Sequence, residues 1–337
     1  MKKAVFGLCV AASFGANAQA FDMTYNTENP FYMPRQNEFY SKTQVEASFT
    51  KLSLKGASDI NGNSVPSNRD IKSNDIFINE RIGYGITRQF ELFAEGGWVI
   101  SNLKWEDNNT GDSLKADDND LNYINAGASF FLTRTANFSA KVSASYAFAP
   151  DNDIVGYGDK VHLNAVIGKE YRNLILALHG GVTFNLKDDA TIDYYGLQEK
   201  MNIDSSIDYM VAGEIMYGFN RCLSGQLMLR YEIFNPKSEQ NLNFLNHETA
   251  KIFGTDKNDN VFTVAGQLNY SITKSILAAV YVGMSWHSLD KYSTVDPFDA
   301  VGYLPVGDIS ELAPAFRNYE IDDFYTTYAG LKFNIVF

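Results

Sequence analysis

Apolar and polar residues alternate with a period of two along most of this chain. Phe138, Ala140, Val142, Ala144, Tyr146 and Phe148 take every second position, with Ser139, Lys141, Ser143, Ser145 and Ala147 between them. Side chains of a strand point alternately to its two faces, so the pattern predicts a strand with one apolar and one polar side. The stretches from Leu174 to Leu186, Tyr209 to Phe219 and Leu223 to Ile233 read the same way. Twelve such segments begin near residues 39, 75, 90, 121, 137, 160, 174, 207, 223, 260, 276 and 323.

The connections alternate as strictly as the side chains. Five are tight and basic: Thr87 to Gln89, Thr133 to Asn137, Arg172–Asn173, Asn220 to Cys222 and Thr273 to Ser275. The other six are long, polar and acidic, centred near residues 65, 113, 153, 196, 247 and 306. An even strand number with short turns at one end and long loops at the other predicts an all-β fold. Its form is a transmembrane antiparallel up-and-down β-barrel of twelve strands, with short periplasmic turns and long extracellular loops. A soluble sandwich is the competing fold, but its strands run about five or six residues and its loops lack this asymmetry. The apolar face from Phe138 to Phe148 covers ten steps. At ~3.3 Å each and a tilt of ~40°, that spans roughly 25 Å, the height of a barrel's apolar band. The acidic stretches Asp107 to Asp118 and Asp256 to Asp259 are expected to be solvated loop residues.

Aromatic residues fall where two interfacial rows are needed. Phe90, Phe138, Tyr171, Phe219 and Phe337 lie beside the short turns, and Tyr146, Tyr209, Tyr231 and Trp286 near the long loops. Glu80 has the parity of the lipid face. It is expected either near the outer interface, where a charge costs only about 0–1 kcal/mol, or beside a bulge that changes the register.

The first residues read as an export signal. Lys2 and Lys3 precede an apolar stretch from Ala4 to about Ala16, and Ala18-Gln19-Ala20 offers a small-x-small cleavage site. That gives residues 1–20 as a signal peptide, 21–38 as an N-terminal periplasmic or plug segment, and 39–337 as the barrel. Composition sharpens the picture: 20 Tyr, 24 Phe and a net charge of −12. Such a chain is expected to repel nucleic acid and anionic lipid headgroups, and no Lys/Arg cluster in the sequence suggests otherwise. After the signal only Cys222 remains, so no internal disulfide forms.

The final residues, Tyr325 to Phe337, are apolar at 331, 333, 335 and 337. This resembles the C-terminal assembly signal of Gram-negative outer-membrane β-barrel proteins, with Phe333, Ile335 and Phe337 as its apolar positions. Ile335 stands where the family often has an aromatic. The resemblance implies residence in the outer membrane among its lipid and lipopolysaccharide, and insertion by the barrel assembly machinery. In size it is similar to porin-like small-solute channels.

By parity Lys42, Glu46, Arg81, Glu95, Lys141, His162, Glu170, His179, Glu214, Arg230 and Glu232 point inward. Counting from the turns sets Arg81 opposite Glu95 and Glu214 one diagonal from Arg230. These charges either fill a narrow barrel as a salt-bridge network or line a constriction that selects solutes. Three functions follow: a passive channel or uptake porin for small polar solutes, a structural or surface-interaction barrel, and a membrane-embedded hydrolase. The hydrolase rests on Ser285, His287 and Asp290 at the rim, a weak signal that leaves a non-enzyme as the expectation. Asp107 to Asp118 partly mimics a calcium loop, but its glycine is misplaced. Neither a metal nor a cofactor is expected. The last long loop, Leu289 to Asp322, is apolar enough to fold over the pore mouth.

Overall fold

A computed structural model describes residues 26–59, 62–135, 138–148, 159–194, 197–203, 205–235, 243–244, 247–248, 258–295 and 316–337. The export segment and the centres of the loops near residues 153, 196 and 306 lie outside them. Twelve long strands form the wall: β1 (Phe39–Asp59), β2 (Ser64–Gly85), β3 (Phe90–Asp107), β4 (Ser113–Arg134), β5 (Ser139–Phe148) and β6 (Lys160–Glu170) come first. They are followed by β7 (Leu174–Asn185), β8 (Ser206–Gly218), β9 (Leu223–Phe234), β10 (Asp259–Ser271), β11 (Ile276–His287) and β12 (Phe316–Val336). Each pairs antiparallel with its neighbours in sequence, and β1 also pairs with β12, so the sheet closes on itself. Closure matters because a lipid-facing strand edge would leave backbone groups without partners. At the seam the Phe337 amide donates to the Phe39 carbonyl at 2.8 Å, which brings both strand ends to the short-turn side.

The exposed face is apolar along the wall. Ile76, Ile78 and Ile82 on β2, Leu92, Trp98 and Ile100 on β3, and Leu163 and Ile167 on β6 are all exposed. This outward array with a polar inner face is that of a transmembrane barrel, the reverse of a soluble core. Among the described residues no helix is long and apolar enough to cross a membrane.

The structure corrects the expected loops near residues 65 and 113. Strands β1 to β4 run 21, 22, 18 and 22 residues and continue through those regions, with Asn108 to Asp112 as the tight tip of the second hairpin. Beyond the membrane belt the alternation persists with its sense reversed. Leu52, Leu54, Ala57 and Tyr319 form a buried cluster, with Ile71, Trp105, Tyr292 and Phe324 packed on it, while the opposite face carries charge. A small core of soluble type therefore supports these extensions. For the same reason β4 starts at Ser113 and β12 at Phe316, earlier than the apolar outer pattern indicates. Part of the last long loop is a strand, Lys291–Val295, added to the upper end of β12. Another long loop contains a hairpin of Asp188–Tyr194 with Leu197–Ile203, and a further one pairs Asn243–Phe244 with His247–Glu248.

Glu80 also departs from expectation. It faces outward five residues from the end of β2, in the lower part of the wall rather than near the outer interface. The register between β1 and β2 is unbroken there, so no bulge is involved. Instead the hydroxyls of Ser41 and Thr43 on the same face each donate to its carboxylate at 2.5 Å.

The inner wall repeatedly sets an aromatic ring opposite a glycine. Tyr281 pairs with Gly330 and Tyr328 with Gly283 across β11 and β12, Tyr40 with Gly83 across β1 and β2, and Phe93 with Gly127 across β3 and β4. A β-carbon at Gly83, Gly283 or Gly330 would run into the facing tyrosine ring. Glycine thus lets each ring lie against the wall rather than project across the lumen. Gly283→Ala with Gly330→Ala is expected to destabilise the barrel by about 1–3 kcal/mol per site through overpacking. Guanidinium unfolding in micelles measures this; an unchanged midpoint would show that the rings have room elsewhere.

Candidate functional site: the lumen and its N-terminal segment

At the short-turn end, the residues before β1 lie against the inner wall. Two Asx turns shape them: the Asn26 side chain accepts from the Glu28 amide and the Asn29 side chain from the Phe31 amide, both at 2.8 Å. The turns leave Glu28 and Phe31 pointing to different sides of the segment. Phe31 and Met33 pack with Phe131, Ile175, Ala177 and Met216 from β4, β7 and β8, an apolar cluster inside an otherwise polar wall.

Glu28 is held from the other side. Lys332 Nζ lies 2.9 Å from its carboxylate and Lys42 Nζ 3.5 Å, while Gln267 and Asn334 each donate at 2.9 Å. Asn334 also donates to Thr27 Oγ1 at 2.7 Å, Lys141 to the Tyr32 carbonyl at 3.2 Å, and Asn29 to Glu170 at 3.3 Å. Contacts therefore reach the segment from β1, β5, β6, β10 and β12. Burial opposes the Glu28 charge, yet the neighbouring Lys332 and Lys42 hold its carboxyl well below the usual carboxylate range. Two cavities of about 360 and 410 Å³ flank the segment. The first is bordered by Arg35, Arg88 and Arg134, the second by Arg221 and Lys274.

The other inward charges gather in separate groups. Arg81 lies opposite Glu95 in the register, 3.8 Å away, and closer to Glu91 at 3.2 Å. It also donates to the Tyr40 hydroxyl at 3.0 Å and stacks over Phe93 at 3.7 Å. Across the barrel, His179 Nε2 lies 2.8 Å from Glu214 without hydrogen-bond alignment, and Gln226 donates to the same carboxylate at 2.8 Å. Glu214 and Arg230 stand one diagonal apart, as expected, since Glu214 is opposite Met228 and Arg230 opposite Ala212, but the ion contact of Arg230 is made elsewhere. Arg230 sits opposite Ala212 and approaches Glu232 on its own strand at 3.0 Å. Arg230 and Glu232 are two positions apart on one face, and that same-strand contact was not anticipated. Glu46 accepts from the Tyr281 hydroxyl at 2.6 Å, and Arg134 grips Glu170 through two nitrogens at the lower rim. His162 meets Thr183 at 3.0 Å.

The rim histidine is structural. His287 Nδ1 lies 2.6 Å from Asp259 rather than beside Asp290, and its ring stacks on Phe324 at 3.8 Å. Ser285 Oγ shares a 2.8 Å hydrogen bond with Thr263. Asp107 accepts from the Asn109 and Thr110 amides and pairs with Arg69 at 2.8 Å, closing a hairpin tip. Among the described residues no cluster has the makings of a metal site. On the outside, Phe138, Tyr146, Tyr171, Tyr209, Tyr231, Trp286 and Phe337 are exposed, and Phe219 packs edge-on against Tyr217. Phe90, Phe333 and Ile335 share that outer face. Trp98 joins them with its indole nitrogen 2.5 Å from Asn119, a position that parity alone marks as outward.

No protein-family model and no curated protein sequence matches the chain. Solved structures do. The COG4313 outer membrane channel from Pseudomonas putida F1 aligns over 90% of this chain and 97% of its own, at 14% identity and a TM-score of 0.54. A FadL homologue from Pseudomonas aeruginosa covers 89% and 90% at 8% identity and 0.47, and the transport unit of the autotransporter AIDA-I from Escherichia coli 93% and 96% at 9% and 0.47. The fold is that of outer-membrane β-barrels. At these identities the likeness extends to the fold alone.

The Glu28 cluster makes a pH prediction. A carboxyl with a depressed folded pKa contributes stability that is full above its unfolded value, 4.5, and declines as pH falls below it. A nitroxide on Gln36→Cys, in a Cys222→Ser background, is therefore expected to stay immobile from pH 8 to about 5 and to gain a mobile component below about 4.5. Glu28→Gln is expected to show that component at every pH. Line shapes that do not respond to either change would show that Glu28 does not anchor the segment.

Proposed function

We propose that the protein is a passive channel of a Gram-negative outer membrane that admits small polar solutes, with residues 26–38 as a partial plug. The observation that carries this reading is the inner wall itself. Its polar and charged groups extend from Glu28 and Arg81 at the short-turn end to Asp208, Glu232 and His287 at the other, behind an apolar exterior. Charged residues border the two lower cavities beside the plug, Arg35, Arg88, Arg134 and Glu38 at one and Arg221 and Lys274 at the other. Export through residues 1–20, recognition of Phe333, Ile335 and Phe337 by the assembly machinery, and contact with lipopolysaccharide belong to the same reading. A structural barrel is the second reading, favoured by the many contacts that fix the plug to the wall.

Planar-bilayer recording separates the two. The channel reading predicts a small conductance in the full mature chain and a several-fold larger one when residues 26–38 are deleted. Silence in both would leave only the structural barrel. Arg81→Gln leaves Glu91 and Glu95 without their cation, so the reversal potential in a salt gradient is expected to move towards cation preference. A reversal potential that does not move would remove this group from the solute path.

A further inference from the structure

Above the apolar band, on the outward face of β1 to β4, four lysines occupy one row of the sheet. The register sets Lys51 opposite Lys72, Lys72 opposite Lys104, and Lys104 opposite Lys115. Like charges directly opposite destabilise a sheet, so nothing in folding asks for this row. Three carboxylates in the next row, Asp323, Asp70 and Glu106, offset part of it. Asp70 lies 3.8 Å from Lys51 and 3.9 Å from Lys72, while Glu106 meets Lys72 and, at 2.5 Å, Lys104. Asp117, one row below, is engaged by Asn102. Lys51, Lys72 and Lys104 thus each have a carboxylate beside them, and Lys115 at the end of the row is exposed.

The height of the row identifies what it meets. Along β3 the outward side chains run from Phe90 through Leu92 and Trp98 to Ile100, ten residues or roughly 25 Å of apolar wall. Lys104 stands four residues beyond, about 10 Å higher. Asn74 and Asn102 lie between the apolar band and the lysines. With strands ~4.8 Å apart, the row is about 14 Å long, the scale of a sugar headgroup rather than of one phosphate.

We propose that this lysine row binds the headgroup of an outer-leaflet glycolipid bearing two phosphates, the chemistry of lipid A. Lys51 and Lys72 engage one phosphate and Lys104 and Lys115 the other. Lysine suits this role as a point charge for phosphate oxygens. The site rests on membrane insertion with the long-loop end outward, and not on transport.

Native mass spectrometry of the full mature chain, released from detergent after incubation with single lipids, tests the site. Diphosphoryl lipid A is expected to leave an adduct on the wild type that excess inorganic phosphate does not displace. Replacing Lys51, Lys72, Lys104 and Lys115 with Gln should lower it about tenfold or more, and the four-Arg variant should keep it. Heat-dependent mobility on gels confirms that each variant is folded, and Lys115→Gln alone serves if the quadruple variant is not. Conductance is expected to be the same in the wild type and the Gln variant, so failure of the channel reading leaves this result standing. An equal adduct on the wild type and the Gln variant would overturn the site. So would equal retention of phosphatidylglycerol, or complete displacement by free phosphate.

Discussion

Every other feature of this molecule depends on the hydrogen-bonded seam between β1 and β12. In hydrocarbon an unpaired backbone N–H or C=O has no water to fall back on and costs several kcal/mol. The pairing from Tyr40 with Val336 to Asp59 with Arg317 removes that cost along the whole height of the wall. Once the sheet is closed, each residue's parity commits its side chain to lipid or to lumen, and a slip of one residue would exchange the two. Glu80 shows how firmly the register holds. Its carboxylate stays on the outer face, satisfied by Ser41 and Thr43, and the strand does not bulge to bring it inside.

Closure also explains why the interior is built as it is. A barrel of twelve strands leaves a narrow lumen, so bulky inner side chains compete for space. Glycine opposite Tyr40, Tyr281 and Tyr328 lays those rings against the wall. Arg81 is similarly flattened on Phe93 while it reaches Glu91 and Glu95. At the short-turn end the wall turns apolar at Phe131, Ile175, Ala177 and Met216, and there the chain folds its own N-terminal segment against it. Phe31 supplies the apolar contact and Glu28 the polar one, so the segment is held by two kinds of interaction from different sides.

The strand number, the closed antiparallel order and the short-turn end were legible because lipid imposes an apolar outer face at every second residue. Parity likewise brought Arg81 opposite Glu95 and His162 opposite Thr183. Reading failed where lipid no longer dictates the outer face. Past Ile76 and Ile100 the outward positions become Asn74, Lys72, Asn102 and Lys104, and the apolar residues move inside as Ile71 and Trp105. The strands there looked like loops. Spacing across one turn set Glu214 a diagonal from Arg230, as the register has it, but the groups nearest its carboxylate are His179 and Gln226 on the two neighbouring strands. The segment from Asn26 to Met33 has no period at all. Its signal was the run Asn26-Thr27-Glu28-Asn29, polar groups able to turn the backbone and meet the lower ring, and only the three-dimensional ring gives that run a partner.

The placement of that segment within a closed barrel is the point on which wall, lumen and conduction meet. Phe31→Cys with Met216→Cys, in a Cys222→Ser background, tests it through a short thiol crosslinker on the folded protein, read as joined peptides by mass spectrometry. Both native side chains are buried in one cluster, so the joined peptide is expected to predominate, and to vanish when the protein is unfolded before treatment. Folded protein that gives no joined peptide, with both thiols open to a water-soluble reagent, would contradict it.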